Sequence, residues 1–196
     1  STPRRPLRVL LITPDFPPQW GGIQRLLYRI TGAMDDVDLS VVTLKSEGWR
    51  AFDEGFVGRI VRVPNISRIP LLRNFAFNFF ASFVRLGTRP DVILNGHVVS
   101  APVAYLTARR VSAPVVLYTY GKEVQGRPGV ARWGMKHSHA AVAVSRYTRD
   151  QLLEVGAGVR SRRIGDRVGT TWVQSSCGRC PYCRESRPLS GQTAMN

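Results

Sequence analysis

Two hydrophobic rhythms alternate along this chain. Val9-Leu10-Leu11-Ile12 is an unbroken apolar run of strand length, the pattern of a strand buried on both faces of a parallel sheet. Past Pro14 the spacing widens. Ile23, Leu26, Leu27, Ile30 and Met34 recur at three- and four-residue steps, which predicts a helix with one apolar face. Val37 to Leu44 reads as a second strand, and Arg59-Ile60-Val61-Arg62-Val63 alternates like a third before Pro64 stops it. The polar stretch from Lys45 to Gly58, which contains Gly48 and Gly55, is expected to be a loop. Further on, Pro90 to His97, Pro114 to Glu123 and Ala140 to Val144 are apolar strands that run into polar tips. Helices are predicted over 100–110, with Pro102 in the first turn, and over 128–137. Ser145 suits the N-cap of a helix over 146–155 that Gly156 stops.

One helical stretch admits two readings. Ile69, Leu72, Phe75, Phe79, Phe80, Phe83 and Leu86 follow helical spacing, and Phe77 falls off that face. The stripe either packs into the core or dips aromatics, flanked by Arg68, Arg73 and Arg85, into a membrane interface.

Strands that alternate with helices imply βαβ crossovers, so the fold class is α/β, a single parallel sheet with helices on both faces. Ligands of such sheets sit at the carboxyl ends of the strands. Four polar tips fall there: Gly21-Gly22, Asn95-Gly96-His97, Tyr120-Gly121-Lys122-Glu123 and Ser145. In the first, three prolines stiffen the loop before the glycine pair releases it at a helix N-terminus. That pair either offers free N–H groups and the positive end of a dipole to an anion, or is a tight turn with no ligand.

The size, 196 residues, suits one α/β domain with a real core and is short for two. No apolar run approaches the roughly 20 residues that cross a bilayer, and the first residues lack the apolar segment of a secretory signal, so a cytoplasmic protein is expected. Charge changes the picture more. The chain carries 28 Lys+Arg against 13 Asp+Glu, a formal +15, which points to anionic partners. Only Lys45, Lys122 and Lys136 are lysines, and the arginines are scattered with no basic helix stripe. Nucleic acid is therefore the weaker partner, and a membrane surface or a phosphate-bearing ligand the stronger.

In order and spacing, Asp15-Phe16-Pro17-Pro18…Gly21-Gly22-Ile23, Arg89-Pro90-Asp91-Val92-Ile93, Tyr120-Gly121-Lys122-Glu123 and Ser145-Arg146-Tyr147-Thr148…Leu152…Gly156 form a recognisable series. Residues 7 to about 164 resemble the N-terminal, acceptor-receiving domain of a family-4, GT-B-fold retaining glycosyltransferase. The resemblance implies a Rossmann-like half that shares a cleft with a second half, which binds most of a nucleotide-diphosphate sugar. It implies that Gly21 and Gly22 stabilise the leaving diphosphate through backbone N–H groups. His97, Tyr120 and Glu123 would serve the reacting centre, and Gln24, Lys122 and Ser145 the acceptor. Tyr120 stands where the family often has histidine. His97 is either an acceptor-pocket residue or a loop histidine, Glu123 either an acceptor contact or a solvated charge, and Ser145 a helix cap as well as a contact. The acceptor is expected to be lipid-linked or otherwise anionic, with the protein peripheral at the inner face of a membrane. No cofactor is required. With the donor half missing, the chain alone is expected to have negligible activity.

The likeness stops near Ile164. Gly165-Asp166-Arg167-Val168 followed by Cys177-Gly178-Arg179-Cys180-Pro181-Tyr182-Cys183 resembles the structural-zinc segment of zinc-dependent alcohol dehydrogenases. That family's fourth cysteine falls at Gly191, and closed structural zinc sites want four ligands. Cys177, Cys180 and Cys183 would therefore hold zinc only weakly. The expected organisation is a transferase-like domain over 1–164 and an irregular, poorly ordered tail over 165–196, joined by fusion or frameshift. Two other functions stay open: a non-catalytic remnant that binds phosphate or anionic lipid and, from the tail alone, a zinc-dependent oxidoreductase fragment. All three cysteines lie in the tail, which suits a reducing compartment and argues against disulfides.

Overall fold

The computed structural model describes residues 5–34, 36–156 and 169–170; the side chains of 122–124, 151, 153–156 and 169–170 are outside that description. Among the described residues seven strands, β1 (Leu7–Ile12), β2 (Val37–Leu44), β3 (Arg59–Val63), β4 (Val92–Asn95), β5 (Val115–Thr119), β6 (Ala140–Ala143) and β7 (Gly169–Thr170), form one sheet. The order is β3-β2-β1-β4-β5-β6-β7, and every pairing is parallel. The expected α/β class and single parallel sheet are found. Of the stretch expected to form a tail, Gly169–Thr170 pairs with Val142–Ala143 and adds the seventh strand.

Helices α1 (Gly22–Gly32), α2 (Trp49–Glu54), α3 (Pro70–Ser82), α4 (Ala101–Val111), α5 (Gly121–Gly126), α6 (Pro128–Lys136) and α7 (Arg146–Gly156) fill the connections. Because strand side chains alternate, β1 feeds two cores. Leu10 and Ile12 pack with Phe77 and Ala81 of α3 and with Val103, Ala104 and Ala108 of α4. Val9 and Leu11 pack on the other face with Leu27 of α1 and Phe52 of α2. A third cluster joins Leu117 and Ala143 to Ala131 of α6 and Leu152 of α7.

At the amino edge of the sheet Asp91 clamps β4 to β1. It accepts from Arg5 Nη1 and Nη2 at 2.8 and 2.7 Å and from the Arg8 backbone N–H at 2.9 Å. The hydrogen bonds from Arg5, then that from Arg8, hold the Asp91 carboxyl down at about 2, against an ordinary 3.8. The clamp therefore persists through neutral pH and loosens only as pH falls through that window.

Two expectations are corrected. Residues 45–58 are not all loop: α2 forms in the middle, because Phe52 and Phe56 gain an aromatic cluster against Phe16, with centroids 6.2 and 5.7 Å away. The stripe on α3 is also turned. Phe77, off the stripe by spacing, is 0% exposed, and Ala76 and Ala81 are buried with it. Phe75, Phe79 and Phe83 are exposed, whereas Phe80 and Leu86 of the same stripe pack half-buried against the core. The alanines beside Phe77 let α3 approach the sheet and α4 closely, and a helix apolar nearly all round leaves spacing unable to choose the inward face.

Arg62 on edge strand β3 is the main polar tie. Its Nη2 lies 2.7 Å from Asp53 Oδ1 and also donates to the Pro17 carbonyl at 2.7 Å, while Nη1 donates to the Leu44 carbonyl at 3.1 Å. The side chains are 2% and 18% exposed, so this is a desolvated pair with its donors satisfied. Removing one partner of such a pair costs about 3–5 kcal/mol, because the other charge stays buried. Arg62→Leu is expected to lower the unfolding free energy by about 3 kcal/mol in urea titration. Arg62→Lys should recover less than half of that loss, since an ammonium cannot span three acceptors held in a planar fork. A change below about 0.5 kcal/mol, the size of an ordinary surface substitution, would contradict this role.

Candidate functional site

The sheet runs β3-β2-β1 one way and β4-β5-β6 the other, so the chain reverses direction between β1 and β4. A crevice opens outside the carboxyl ends of the strands at such a switch point. Ile12 is in register with Asn95, so the tips that follow, the Pro14–Gly22 loop and Gly96-His97, flank it. Gly96 is required there: a Cβ would come within 3.0 Å of Leu11 Cδ1 and of Thr13 Cβ.

The glycine loop is built to stay open. Gly21 is the N-cap of α1, with extended backbone and no capping side chain, and the first turn has no acidic residue. The leading N–H groups of a helix have no partner within it and carry the positive end of its dipole. A Cβ at Gly22 would meet nothing within 4 Å, and one at Gly21 would meet only Gln24, whose Oε1 would be 2.5 Å away. The loop itself is fixed from three sides. Thr13 is buried, and its Oγ1 accepts from the Asp15 N–H at 3.2 Å. Arg73 of α3 reaches the Asp15 carboxylate at 2.9 Å and the Pro14 carbonyl at 3.3 Å. Arg62 holds Pro17.

The second tip is fixed just as firmly. Asn95 is fully buried and pairs with Ser100 Oγ at 2.6 Å, and Ser100 Oγ donates to the His97 carbonyl at 2.7 Å. Asn78 of α3 donates to the Val99 carbonyl at 2.9 Å and accepts from the Val103 N–H at 3.0 Å. His97 Nδ1 accepts from the Val99 N–H at 3.2 Å, which places the proton of the neutral ring on Nε2. Burial pushes the His97 pKa down; Asp15 opposes this, and Arg127 and Arg73 add to it. These effects together favour the neutral ring.

The predicted site residues divide by place. His97 and Tyr120 come together, with ring centroids 6.3 Å apart, and Tyr118 lies 5.4 Å beyond Tyr120. Gln24 lines a small, open cleft with Asp15, Lys45, Ser46, Asn65 and Arg73, beyond the ends of β1 and β2. Lys122 and Glu123 lie on the backbone of α5 directly after β5, and their side chains are outside the described residues. Ser145 is an N-cap: its Oγ accepts from the Thr148 N–H at 3.1 Å and sits 3.0 Å from Thr148 Oγ1. Cys177, Cys180 and Cys183 lie outside the described residues.

Sequence reasoning missed Asp15, Arg62, Arg73 and Asn78 as organisers of the site. Arg62 carried a signal, since it falls on the same strand face as Ile60, but an edge strand tolerates a cation there and the pattern was not decisive. Nothing local marked Asn78, whose partners lie 21 and 25 residues away.

The His97 shift gives a directional expectation. The native ring binds fewer protons than the unfolded chain below its ordinary value of 6.5, so its contribution is complete above that pH and falls away as pH drops through it. His97→Asn keeps an acceptor for the Val99 N–H but does not titrate. Its urea midpoint should fall less than that of the native chain between pH 7.5 and 5, roughly one unit either side of the histidine range. Parallel midpoints across that range would contradict the burial of this ring.

Residues 20–165 match the model of Glycosyltransferase Family 4. Among solved structures the chain resembles Alr3699/HepE of Anabaena in complex with UDP and glucose, with a TM-score of 0.54 at 13% identity over 76% of this chain and 41% of that one. The same protein in complex with UDP-glucose gives the same TM-score of 0.54, identity of 13% and coverage of 76% and 41%. At this identity the likeness is one of fold, and the chain spans less than half of that structure. The tail region has a separate local likeness. Thirty-five residues are 54% identical to an alcohol dehydrogenase of Schizosaccharomyces pombe, covering 18% of this chain and 10% of the relative. An alcohol dehydrogenase of Geobacillus stearothermophilus is 46% identical over 44 residues, which are 22% of this chain and 12% of the relative. The chain thus spans about a tenth of the length of these curated relatives, too little to carry their activity across. The family model, by contrast, covers most of the chain, from the glycine loop to past the last described helix. The chain belongs to Glycosyltransferase Family 4.

Proposed function

We propose that this domain is the acceptor-side half of a retaining sugar transferase that uses a nucleotide-diphosphate sugar. In the reaction the bond between the anomeric carbon and the diphosphate oxygen breaks. The acceptor oxygen bonds to that carbon on the same face, and its proton passes to the leaving diphosphate oxygen. Negative charge grows on the leaving diphosphate, and preorganised N–H groups aimed at growing charge lower the barrier. Gly21 and Gly22 provide such groups at the head of α1. The observation that carries the reading is that this helix start is uncapped and has open space over Gly22 at the β1/β4 switch point. UDP and UDP-glucose in the HepE structures support a nucleotide-sugar donor by analogy of fold.

In this reading His97 presents its Nε2–H to the sugar or acceptor, beside Tyr120 and Glu123. Gln24 and Lys122 contact the acceptor, and Ser145 contributes mainly as the cap that sets the start of α7. The arginine-rich surplus of +15 favours an acceptor that is anionic or lipid-linked, reached from a peripheral position on a membrane. No cofactor is needed for this chemistry. Weak zinc binding at Cys177, Cys180 and Cys183 would belong to a different part of the chain, beyond the Gly169–Thr170 strand that joins the domain's sheet.

Calorimetric titration of the 196-residue chain with a panel of nucleotide sugars and phosphorylated lipid headgroups tests the reading. At least one ligand should bind, and Gly22→Val, which keeps the backbone N–H but fills the open space over it, should weaken binding by about tenfold or more, the size of a charge-assisted hydrogen bond the ligand can no longer reach. The fold has room for the added side chain at Gly22, so the urea midpoint should change little. Binding unchanged by Gly22→Val would remove the loop's assignment.

A further inference from the structure

Helix α3 leaves a continuous apolar strip uncovered. Leu71, Phe75, Phe79 and Phe83 recur at four-residue steps and are 76%, 69%, 52% and 67% exposed. Ile66 and Ile69, just ahead of the helix, extend the strip. The rings touch one another, with Phe79 and Phe83 centroids 5.1 Å apart and Phe79 and Phe80 at 5.4 Å. The opposite face is spoken for, because Ala76, Phe77 and Ala81 are buried in the domain. Exposed apolar patches of this kind are kept for a partner.

The charge around the strip identifies that partner. No carboxylate occurs between Glu54 and Asp91, whereas Arg59, Arg62, Arg68, Arg73, Arg85 and Arg89 do. Arg62 and Arg73 are committed to Asp53 and Asp15. Arg68 and Arg85 are exposed and bracket the strip in sequence. A second copy of the chain packed face to face would bring these arginines together across the interface, since such a contact uses the same patch twice. An anionic lipid surface instead takes aromatic rings at the level of its headgroups and pairs phosphates with the flanking cations. The helix has 13 residues, about 20 Å, and no helix among the described residues is long and apolar enough to cross a membrane, so α3 would lie in the plane of the interface.

We propose that the outward face of α3 seats this domain on an anionic bilayer, with Phe75, Phe79 and Phe83 inserted and Arg68 and Arg85 on the headgroups. The seat is joined to the candidate site: Arg73, one turn into the same helix, holds Asp15 and Pro14 of the glycine-bearing loop. A headgroup at the strip's leading end thus lies beside the cleft that contains Gln24 and Lys45. The proposal takes from the proposed function only the membrane position. Its test uses no sugar or nucleotide, so the two can fail separately.

The test is co-sedimentation of the full chain with vesicles of phosphatidylcholine alone or with roughly a third phosphatidylglycerol. The chain should bind the anionic vesicles at least about tenfold more tightly than the neutral ones, and less so as salt rises. Phe75→Ser with Phe79→Ser should weaken binding to the anionic vesicles about tenfold or more, as expected when two inserted rings are lost. Arg68→Glu with Arg85→Glu should abolish the preference for anionic lipid. All four side chains are exposed, and unchanged circular dichroism and melting would confirm that each variant folds. Absence of vesicle binding, equal binding by the serine variant, or a dimer that the serine variant converts to monomer would each overturn the proposal.

Discussion

A buried guanidinium holds the functional edge of this domain in place. Arg62 starts on the edge strand and ends on the carbonyl of Pro17, and it draws Asp53 of α2 and the Leu44 carbonyl into the same set of hydrogen bonds. The loop it grips has no regular structure of its own and must keep a helix start open beside it. A loop with only proline stiffness would be free to move as a unit. Anchored through Arg62, through Arg73 and through the Phe16–Phe52–Phe56 cluster, it becomes part of the scaffold. A site whose donors are fixed before the ligand arrives need not reorganise as charge develops.

The same logic governs the second tip. Ser100, Asn78 and the Val99 N–H hold residues 95–100 in one arrangement, and His97 inherits its orientation and tautomer from them. Burial favours the neutral ring. Helix α3 connects both tips. Its Arg73 reaches the first and its Asn78 the second, while its outer face carries the exposed phenylalanines. One helix therefore stands between the candidate site and the solvent-facing apolar strip.

Much of this was legible in the residues. The unbroken run of β1 and the three-and-four spacing of α1 led directly to a strand and a helix that share a core. Ser145 was readable as a cap because the hydroxyl-to-N–H geometry is local. What spacing could not settle was the rotation of α3. Apolar residues occur almost all round that helix, and two alanines beside Phe77, rather than the row of phenylalanines, decide which side can approach the sheet. Nor could it find α2, whose six residues fold against aromatics more than thirty positions earlier. The polar ties to Arg62, Arg73 and Asn78 were invisible for the same reason: each spans a long loop and satisfies backbone groups that have no sequence mark.

The central claim is that the head of α1 receives a diphosphate. Backbone amide NMR on the isotopically labelled chain, titrated with a nucleoside diphosphate, reads those N–H groups one by one. The account predicts that the largest downfield shifts fall on Gly21 and Gly22, with smaller changes at Gly96 and His97 across the switch point. Shifts confined to other parts of the sheet, or none at saturating ligand, would contradict it.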